Sequence, residues 1–273
     1  MAYQRSDDWI FLGQGKSSKV FRITPGKVIK IFHAAVSEEM IQREIAAARL
    51  ASSRHVPTAA PMEWVRVDGL PALVYPEVAG RSLAATIRRR PARAAALLAR
   101  MADLQQAIHG HAAGDLRAVK TVLATDIVYG PAPEPLKQAA IDHLQHLPDG
   151  DQLLHGDFHI DNILVSDDRL VVLDWAKAAA GDPAADIVRS EMLMRFGAGP
   201  ADPVTILWRD WAARRLRTAY QHHAAIDDDR LALWRPVVAL AWLRAWPPVR
   251  NRAFRRYLDG ALRRVGLPAF SSL

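Results

Sequence analysis

The densest run of chemically capable side chains in this sequence is Leu154-His155-Gly156-Asp157-Phe158-His159-Ile160-Asp161-Asn162-Ile163-Leu164-Val165. Val171-Val172-Leu173-Asp174-Trp175 and Gly181-Asp182-Pro183-Ala184-Ala185-Asp186 follow it. Apolar stretches bracket the polar residues closely, as expected of a loop held rigid between buried elements. Two chemistries fit such a set. Phosphoryl transfer needs a carboxylate that orients a hydroxyl and accepts its proton, plus oxygen ligands that hold magnesium on phosphates. Asp157 and Asn162 stand in Asp-x4-Asn spacing, and Asp174 follows the next strand pair as a second oxygen ligand. An isolated aspartate is usually a turn residue or helix cap, so specificity lies in the ordered set. Metallohydrolysis is the alternative: His155, Asp157, His159 and Asp161 alternate, and on an extended strand all four would share one face. That reading leaves Asn162 and the N-terminal third without a task.

The N-terminal third separates the two. Gly13-Gln14-Gly15 followed by Lys16-Ser17-Ser18 lies between two β-prone runs, where backbone N–H groups and small hydroxyls can close over phosphates. It lacks the third glycine of Gly-x-Gly-x-x-Gly, and alone it reads as a hairpin turn. Lys30 alternates with apolar residues in Val28-Ile29-Lys30-Ile31, at the distance from Gly15 expected of a phosphate-binding lysine. Glu44 falls in a helical pattern and can fix that lysine by an ion pair. Each feature has an ordinary structural explanation; together they occur in the order of one machine.

These residues need a β-rich frame. Trp9–Leu12, Val20–Ile23, Val28–Phe32, Glu63–Val67 and Ala72–Tyr75 read as strands, with turns at Pro25-Gly26 and Asp68-Gly69. Ser37 opens a helix carrying Glu38 and Glu39 in its first turn and Ile41, Ile45 and Ala48 on one face. Beyond Gly80 the chain turns Ala-, Leu- and Arg-rich. A long helix runs from about Pro91 to His109, Leu153–Leu154, Ile163–Val165 and Leu170–Leu173 are short apolar runs, and helices return from Pro203. The expected architecture is α+β: a small antiparallel-sheet lobe followed by a larger, mostly helical one.

Composition narrows the function classes. With no cysteine in 273 residues, disulfide scaffolds, zinc–thiolate sites and thiol nucleophiles are excluded. The N-terminus has no apolar signal region, and the run Val237–Leu243 is far short of the roughly 20 residues that span a bilayer. A cytoplasmic protein without stable membrane insertion is expected. The net charge of +7 is uneven: from Arg189 onward 15 arginines face 7 acids, giving +8 and leaving about −1 for the rest. Arg214, Arg215, Arg217, Arg250, Arg252, Arg255 and Arg256 sit at helical spacing, which reads as solvated faces whose stems cover apolar surface. No nucleic-acid-binding motif accompanies them.

On these residues the chain resembles the aminoglycoside phosphotransferase and choline kinase superfamily, strongest over Leu154–Asp186. The resemblance implies a two-lobed protein-kinase-like fold, with residues 1–77 as nucleotide-binding lobe and 78–273 as second lobe. The latter holds the catalytic loop (153–186) and a helical substrate-binding region (187–273). It implies Asp157 as catalytic base and Asn162 and Asp174 as Mg2+ ligands. Lys30 would bind ATP (or GTP) phosphates with Glu44 as its partner, under a loop containing Gly13, Gly15, Ser17 and Ser18. Tyr75-Pro76-Glu77-Val78 resembles the hinge whose backbone would hold adenine. His155, Asp182 and Asp186 would brace the loop. No Ala-Pro-Glu follows and Trp175 replaces the Phe-Gly after the metal-binding Asp, which weighs against protein substrates.

The implied reaction moves the γ-phosphate of ATP to a hydroxyl of a small molecule, first of all an aminoglycoside antibiotic. The alternatives are choline, ethanolamine, homoserine, an aldose or a glycated amine. The +8 of the last third counts against a polycation, although Glu191, Asp202, Asp210 and Asp227-Asp228-Asp229 supply local acids. Trp208, Trp211, Tyr220, Trp234, Trp242 and Trp246 are available to stack on a substrate or pack a helical core. A monomer or homodimer is expected.

Overall fold

A computed structural model of the chain describes residues 2–199, 202–245 and 252–270. The elements in chain order are β1 (Ala2–Tyr3), β2 (Ile10–Gln14), β3 (Ser18–Thr24), β4 (Lys27–Phe32), α1 (Glu38–Ser53), β5 (Glu63–Val67), β6 (Leu70–Pro76), β7 (Arg81–Ser82) and α2 (Leu83–Arg89). Then come α3 (Ala94–His109), α4 (Val119–Val128), α5 (Glu134–His146), β8 (Gln152–Leu154), β9 (Ile163–Ser166), β10 (Arg169–Val172) and β11 (Ala179–Gly181). Four helices close the chain: α6 (Pro183–Phe196), α7 (Pro203–His223), α8 (Asp228–Ala245) and α9 (Arg252–Arg264). They form two compact units. The first runs to Pro91 and takes in Ile160–Lys177; the second comprises Ala92–His159 and the chain from Ala178 on.

In the first unit a six-stranded sheet has the order β1-β5-β6-β4-β3-β2. The five strands expected from the sequence are all present and antiparallel; β1, which no pattern marked, adds in parallel to β5. Strand alternation sorts the side chains. Phe21, Ile29, Ile31, Val65, Val67, Ala72 and Val74 form one core. Phe32 and Leu73 turn the other way and pack with Ile41 and Ile45 of α1. Helix α1 starts where expected, with the Ser37 side chain accepting the Met40 N–H and Glu38 and Glu39 in its first turn. The strand β7 pairs with β9, which forms a hairpin with β10 through Asp167 and Asp168, both left-handed.

Gly80 joins β6 to β7 with φ +150°, and a Cβ there would lie 2.3 Å from the Val165 carbonyl oxygen. Both the backbone conformation and the contact demand glycine. Gly80→Ala is expected to lower stability by at least about 2 kcal/mol, read from urea unfolding midpoints at unchanged slope.

The second unit is helical apart from the β8–β11 pair. Its centre is α8, buried almost all round through Leu231, Trp234 and Val237–Leu243, and contacted by α4, α5, α6 and α9. Trp234, Trp242 and Tyr220 are thereby core residues; Trp211 is exposed, and Trp246 and Arg250 lie outside the described residues. Helix α4 and strand β11 carry no marked sequence pattern, whereas α5, also beyond the expected elements, has Glu134 and a proline in its first turn and buries Leu136, Ala140 and Leu144 at i, i+4, i+8. Asp227-Asp228-Asp229 marks the start of α8, where the Asp227 side chain accepts the Arg230 N–H at 2.8 Å. Among the described residues no helix is long and apolar enough to cross a membrane.

Candidate active site

Lys30 lies on β4 between Ile29 and Ile31, so it faces α1 along with Phe32, and its ammonium sits 5.2 Å from that ring's centroid. On α1, Ile41, Glu44, Ile45 and Ala48 share the buried stripe, which carries a carboxylate into the core. Lys30 Nζ donates to Glu44 Oε1 at 2.7 Å and to Asp174 Oδ1 at 3.1 Å. Burial pulls the ammonium's pKa down, but Asp174 and Glu44 outweigh it and hold the group above the ordinary lysine value. Tyr75 alternates with Val74 on β6, so it too faces α1, and its hydroxyl donates to Glu44 at 2.7 Å. Burial first, and the Glu44 charge second, push the phenol well above the tyrosine range, so it remains a donor. In the sequence Tyr75 reads as the end of a strand and the start of the hinge, with no role beside Lys30. The period-two alternation of β6 was the signal that it shares a face with Lys30.

Gly13 and Gln14 belong to β2 and Ser18 begins β3, where it is buried, so the connection itself is Gly15–Ser17. It is closed by the Gly15 N–H to the Ser18 carbonyl at 2.9 Å, and the Ser17 carbonyl accepts from the His33 N–H. A Cβ on Gly13 or Gly15 would meet nothing within 4 Å, so the protein's own packing requires neither glycine. Downstream of β6, the Glu77 N–H is donated to the Gly26 carbonyl at 2.8 Å and its carboxylate receives Arg22 Nε at 2.8 Å. That hydrogen bond lowers the Glu77 pKa. Val78 follows, half-buried.

The β9–β10 hairpin explains how Asn162 and Asp174 come to share a neighbourhood. Ile163 pairs with Val172, and beyond that pair the Leu173 N–H donates to the Asn162 carbonyl at 2.8 Å. Both residues thus sit at the open end of one hairpin, with Asp174 in the left-handed region at φ +64°. The next residue anchors it: Trp175 is buried and its indole N–H donates to Thr58 Oγ1 at 2.9 Å, while that hydroxyl donates to the Val172 carbonyl at 2.7 Å. Thr58 escaped the sequence reading because nothing local links it to residues more than a hundred positions away. An amide oxygen and a carboxylate are hard donors, and Asp174 already faces one cation, the Lys30 ammonium. The donor set fits magnesium.

Asp157 belongs to the second unit, in the irregular stretch between β8 and β9. Its N–H donates to His155 Nδ1 at 3.2 Å, and the fully buried His155 ring meets Phe158 edge-on. Asp186 anchors the loop from α6: its carboxylate accepts the Gly156 N–H at 2.7 Å, the His155 N–H at 3.4 Å and Gln105 Nε2 at 3.1 Å. His109 Nε2 lies 3.1 Å from the same carboxylate, with its Nδ1 2.8 Å from the Tyr220 hydroxyl. Arg189 adds a hydrogen bond to the Gly156 carbonyl. Asp182 works elsewhere, accepting the Ala184 N–H at the start of α6 and holding Arg230 and Trp234 of α8. Gly181 precedes it in a place where a Cβ would press 2.3 Å from Val119.

Burial raises the Asp186 pKa, but the His109 hydrogen bond and charge, then His155 and Gln105, bring it down to about 2. A depressed folded-state pKa stabilises the fold above the unfolded value and is lost as pH falls through the folded one. Between about pH 4 and pH 2 this carboxylate is expected to give up roughly 2 kcal/mol of stability. Denaturant melts across that window should show the slope in the parent chain and its absence in Asp186→Asn; equal slopes would remove the assignment.

The His155, Asp157, His159, Asp161 alternation is not laid out on a strand: residues 155–162 are loop, and His155 is turned into the core. Among the described residues no group of three or more His, Asp or Glu side chains is placed to hold a metal. In the last third, many arginines meet acids: Arg195 and Arg214 at Asp210, Arg217 and Arg235 at Asp228, Arg230 at Asp182, Arg264 at Asp229. On α9, Arg252, Arg256, Arg263 and Arg264 are exposed, while Phe254, Leu258, Ala261 and Leu262 are buried.

Solved structures share this fold at low sequence identity. A choline/ethanolamine kinase family protein from Mesorhizobium loti is 20% identical, over 96% of this chain and 87% of that one, with a TM-score of 0.58. Amicoumacin kinase in complex with AMP-PNP, Ca2+ and Ami is 16% identical over 97% of this chain and 89% of that one, with a TM-score of 0.59. An aminoglycoside phosphotransferase from Streptomyces rimosus is 19% identical over 85% of this chain and 92% of that one, with a TM-score of 0.58. No curated protein matches the sequence. The model of the phosphotransferase enzyme family matches residues 8–234, most of the chain and all of the candidate site from Gly13 to Asp186, and the chain belongs to that family.

Proposed function

We propose that this phosphotransferase moves the γ-phosphate of ATP, or GTP, to a hydroxyl of an aminoglycoside antibiotic. The observation that carries the phosphoryl-transfer chemistry is the buried Lys30 ammonium, fixed by Glu44 and Asp174 at 2.7 and 3.1 Å. Lys30 would bind the nucleotide phosphates, with Glu44 fixing Nζ and Tyr75 holding Glu44. The backbone from Gly13 to Ser18 would cover them, leaving room where Gly13 and Gly15 carry no Cβ. In the hinge, the Glu77 N–H is already used within the sheet, so Val78 would offer its N–H to the base. Asn162 and Asp174 would hold magnesium, which supplies positive charge to the phosphate oxygens when bound. Asp157 would orient the acceptor hydroxyl and take its proton. Residues 1–77 would serve as nucleotide-binding lobe and 78–273 as acceptor lobe, in an enzyme of the cytoplasm.

Family membership supports an aminoglycoside acceptor, as does the fold shared with an aminoglycoside phosphotransferase. One observation favours a smaller amino alcohol or sugar instead: Asp182, Glu191, Asp210, Asp228 and Asp229 are all engaged by arginines, which reduces the acid available to a polycation. The test is magnesium-dependent ADP release across aminoglycosides, choline, ethanolamine, homoserine and simple sugars. Turnover with an aminoglycoside supports the first reading. Turnover only with a small amino alcohol or sugar supports the second. Silence throughout, with no nucleotide binding, would overturn both.

A further inference from the structure

From Val78 to Ala102 the chain carries six arginines and neither Asp nor Glu. Four of them, Arg81, Arg88, Arg89 and Arg90, belong to the first unit. Arg81 stands on β7, paired with Val165. Thr86 and Arg89 are spaced i, i+3 on α2 and share one side, Arg90 follows as the cap of the helix, and Arg88 is offset. Arg81, Thr86, Arg89 and Arg90 line one groove of about 320 Å³. Among the described residues Arg81, Arg88, Arg89 and Arg90 make no ion pair, in contrast to Arg22, Arg66, Arg230, Arg244 and Arg264.

Arginines in the last turn of a helix interact favourably with its dipole, which accounts for Arg88 and Arg89 as helix residues. It does not account for Arg81, which precedes the helix, nor for three arginines lining one groove with no carboxylate among its lining residues. Like charges so placed repel one another, and a bound anion removes that cost while meeting planar donor forks suited to phosphate oxygens. We infer that this groove is a second anion site, separate from the nucleotide phosphates, that takes a small ligand carrying two or more phosphate-type charges. Thr86 Oγ1 donates to the Ser82 carbonyl, so it lines the wall as an oriented acceptor and the arginines supply the contacts.

Inorganic pyrophosphate, titrated calorimetrically at low salt without magnesium, is the probe. The parent chain should bind one equivalent, and Arg89→Ala/Arg90→Ala should weaken it at least about tenfold while binding ADP as before. Arg88→Ala should stay within about twofold. Arg81→Gln serves as second line variant if the double substitution does not fold, with the same loss expected. No pyrophosphate binding by the parent overturns the site, as does binding indifferent to Arg89 and Arg90. An equal loss in Arg88→Ala would show diffuse attraction, and a parallel loss of ADP affinity would return the groove to the nucleotide site. Attachment to duplex DNA or anionic vesicles without pyrophosphate binding would also overturn it.

Discussion

Asp157→Asn is expected to reduce turnover by roughly 10²–10⁴-fold, the range that one positioned proton acceptor contributes. Nucleotide affinity should change by no more than a few-fold and thermal stability should hardly move. The reason lies in how the loop is fixed. Its backbone is tied by the Gly156 and His155 N–H groups to Asp186, by the Gly156 carbonyl to Arg189 and by the Asp157 N–H to His155. All of these survive the substitution, and Asn keeps the side chain's size and shape. What changes is charge and basicity at one position, so the loss should appear in turnover rather than in the KM for nucleotide. Asp186→Asn supplies the contrast, since it should lose stability and turnover together. An Asp157→Asn enzyme working within tenfold of the parent would overturn the assignment of the base.

Much of this arrangement was legible because strand and helix periods place side chains without reference to the rest of the fold. Lys30 between Ile29 and Ile31 and Glu44 between Ile41 and Ala48 announce a charged pair on the shared face of a strand and a helix. Their order relative to Gly13-Gln14-Gly15 and the Asp157, Asn162, Asp174 set made a phosphotransferase readable. What escaped was long-range hydrogen bonding by common residues. Thr58 supports Trp175 across 117 positions, and Gln105 and His109 reach Asp186 from a helix that otherwise reads as plain packing. Such residues carry no local signature, because their partners are chosen by topology. The same holds for the short β11, which exists through its pairing with β8 and not through any propensity of Ala179-Ala180-Gly181.

Lys30→Met is expected to cut turnover at least about a hundredfold and to destabilise the protein by roughly 3–5 kcal/mol, and the two losses should be separable. The stability loss arises because Glu44, only 3% exposed, would keep a buried carboxylate with the Tyr75 hydroxyl but without its cation. Adding Glu44→Gln removes the stranded charge while leaving an amide oxygen for Tyr75 to donate to. The double variant should therefore regain most of the lost stability, in a cycle whose coupling energy is large because the two groups touch. Turnover should stay low, since methionine brings no positive charge to the phosphates whether or not Glu44 is neutral. Glu44→Gln alone leaves Lys30 with Asp174, and its activity should fall between parent and Lys30→Met. If the double variant recovered turnover along with stability, Lys30 would be a structural residue and the phosphate-binding role would fail. If neither recovered, the buried pair would not be the source of the stability loss. The design is informative because sequence periodicity and the 2.7 Å contact both predict coupling, while only the chemistry predicts that activity will not follow it.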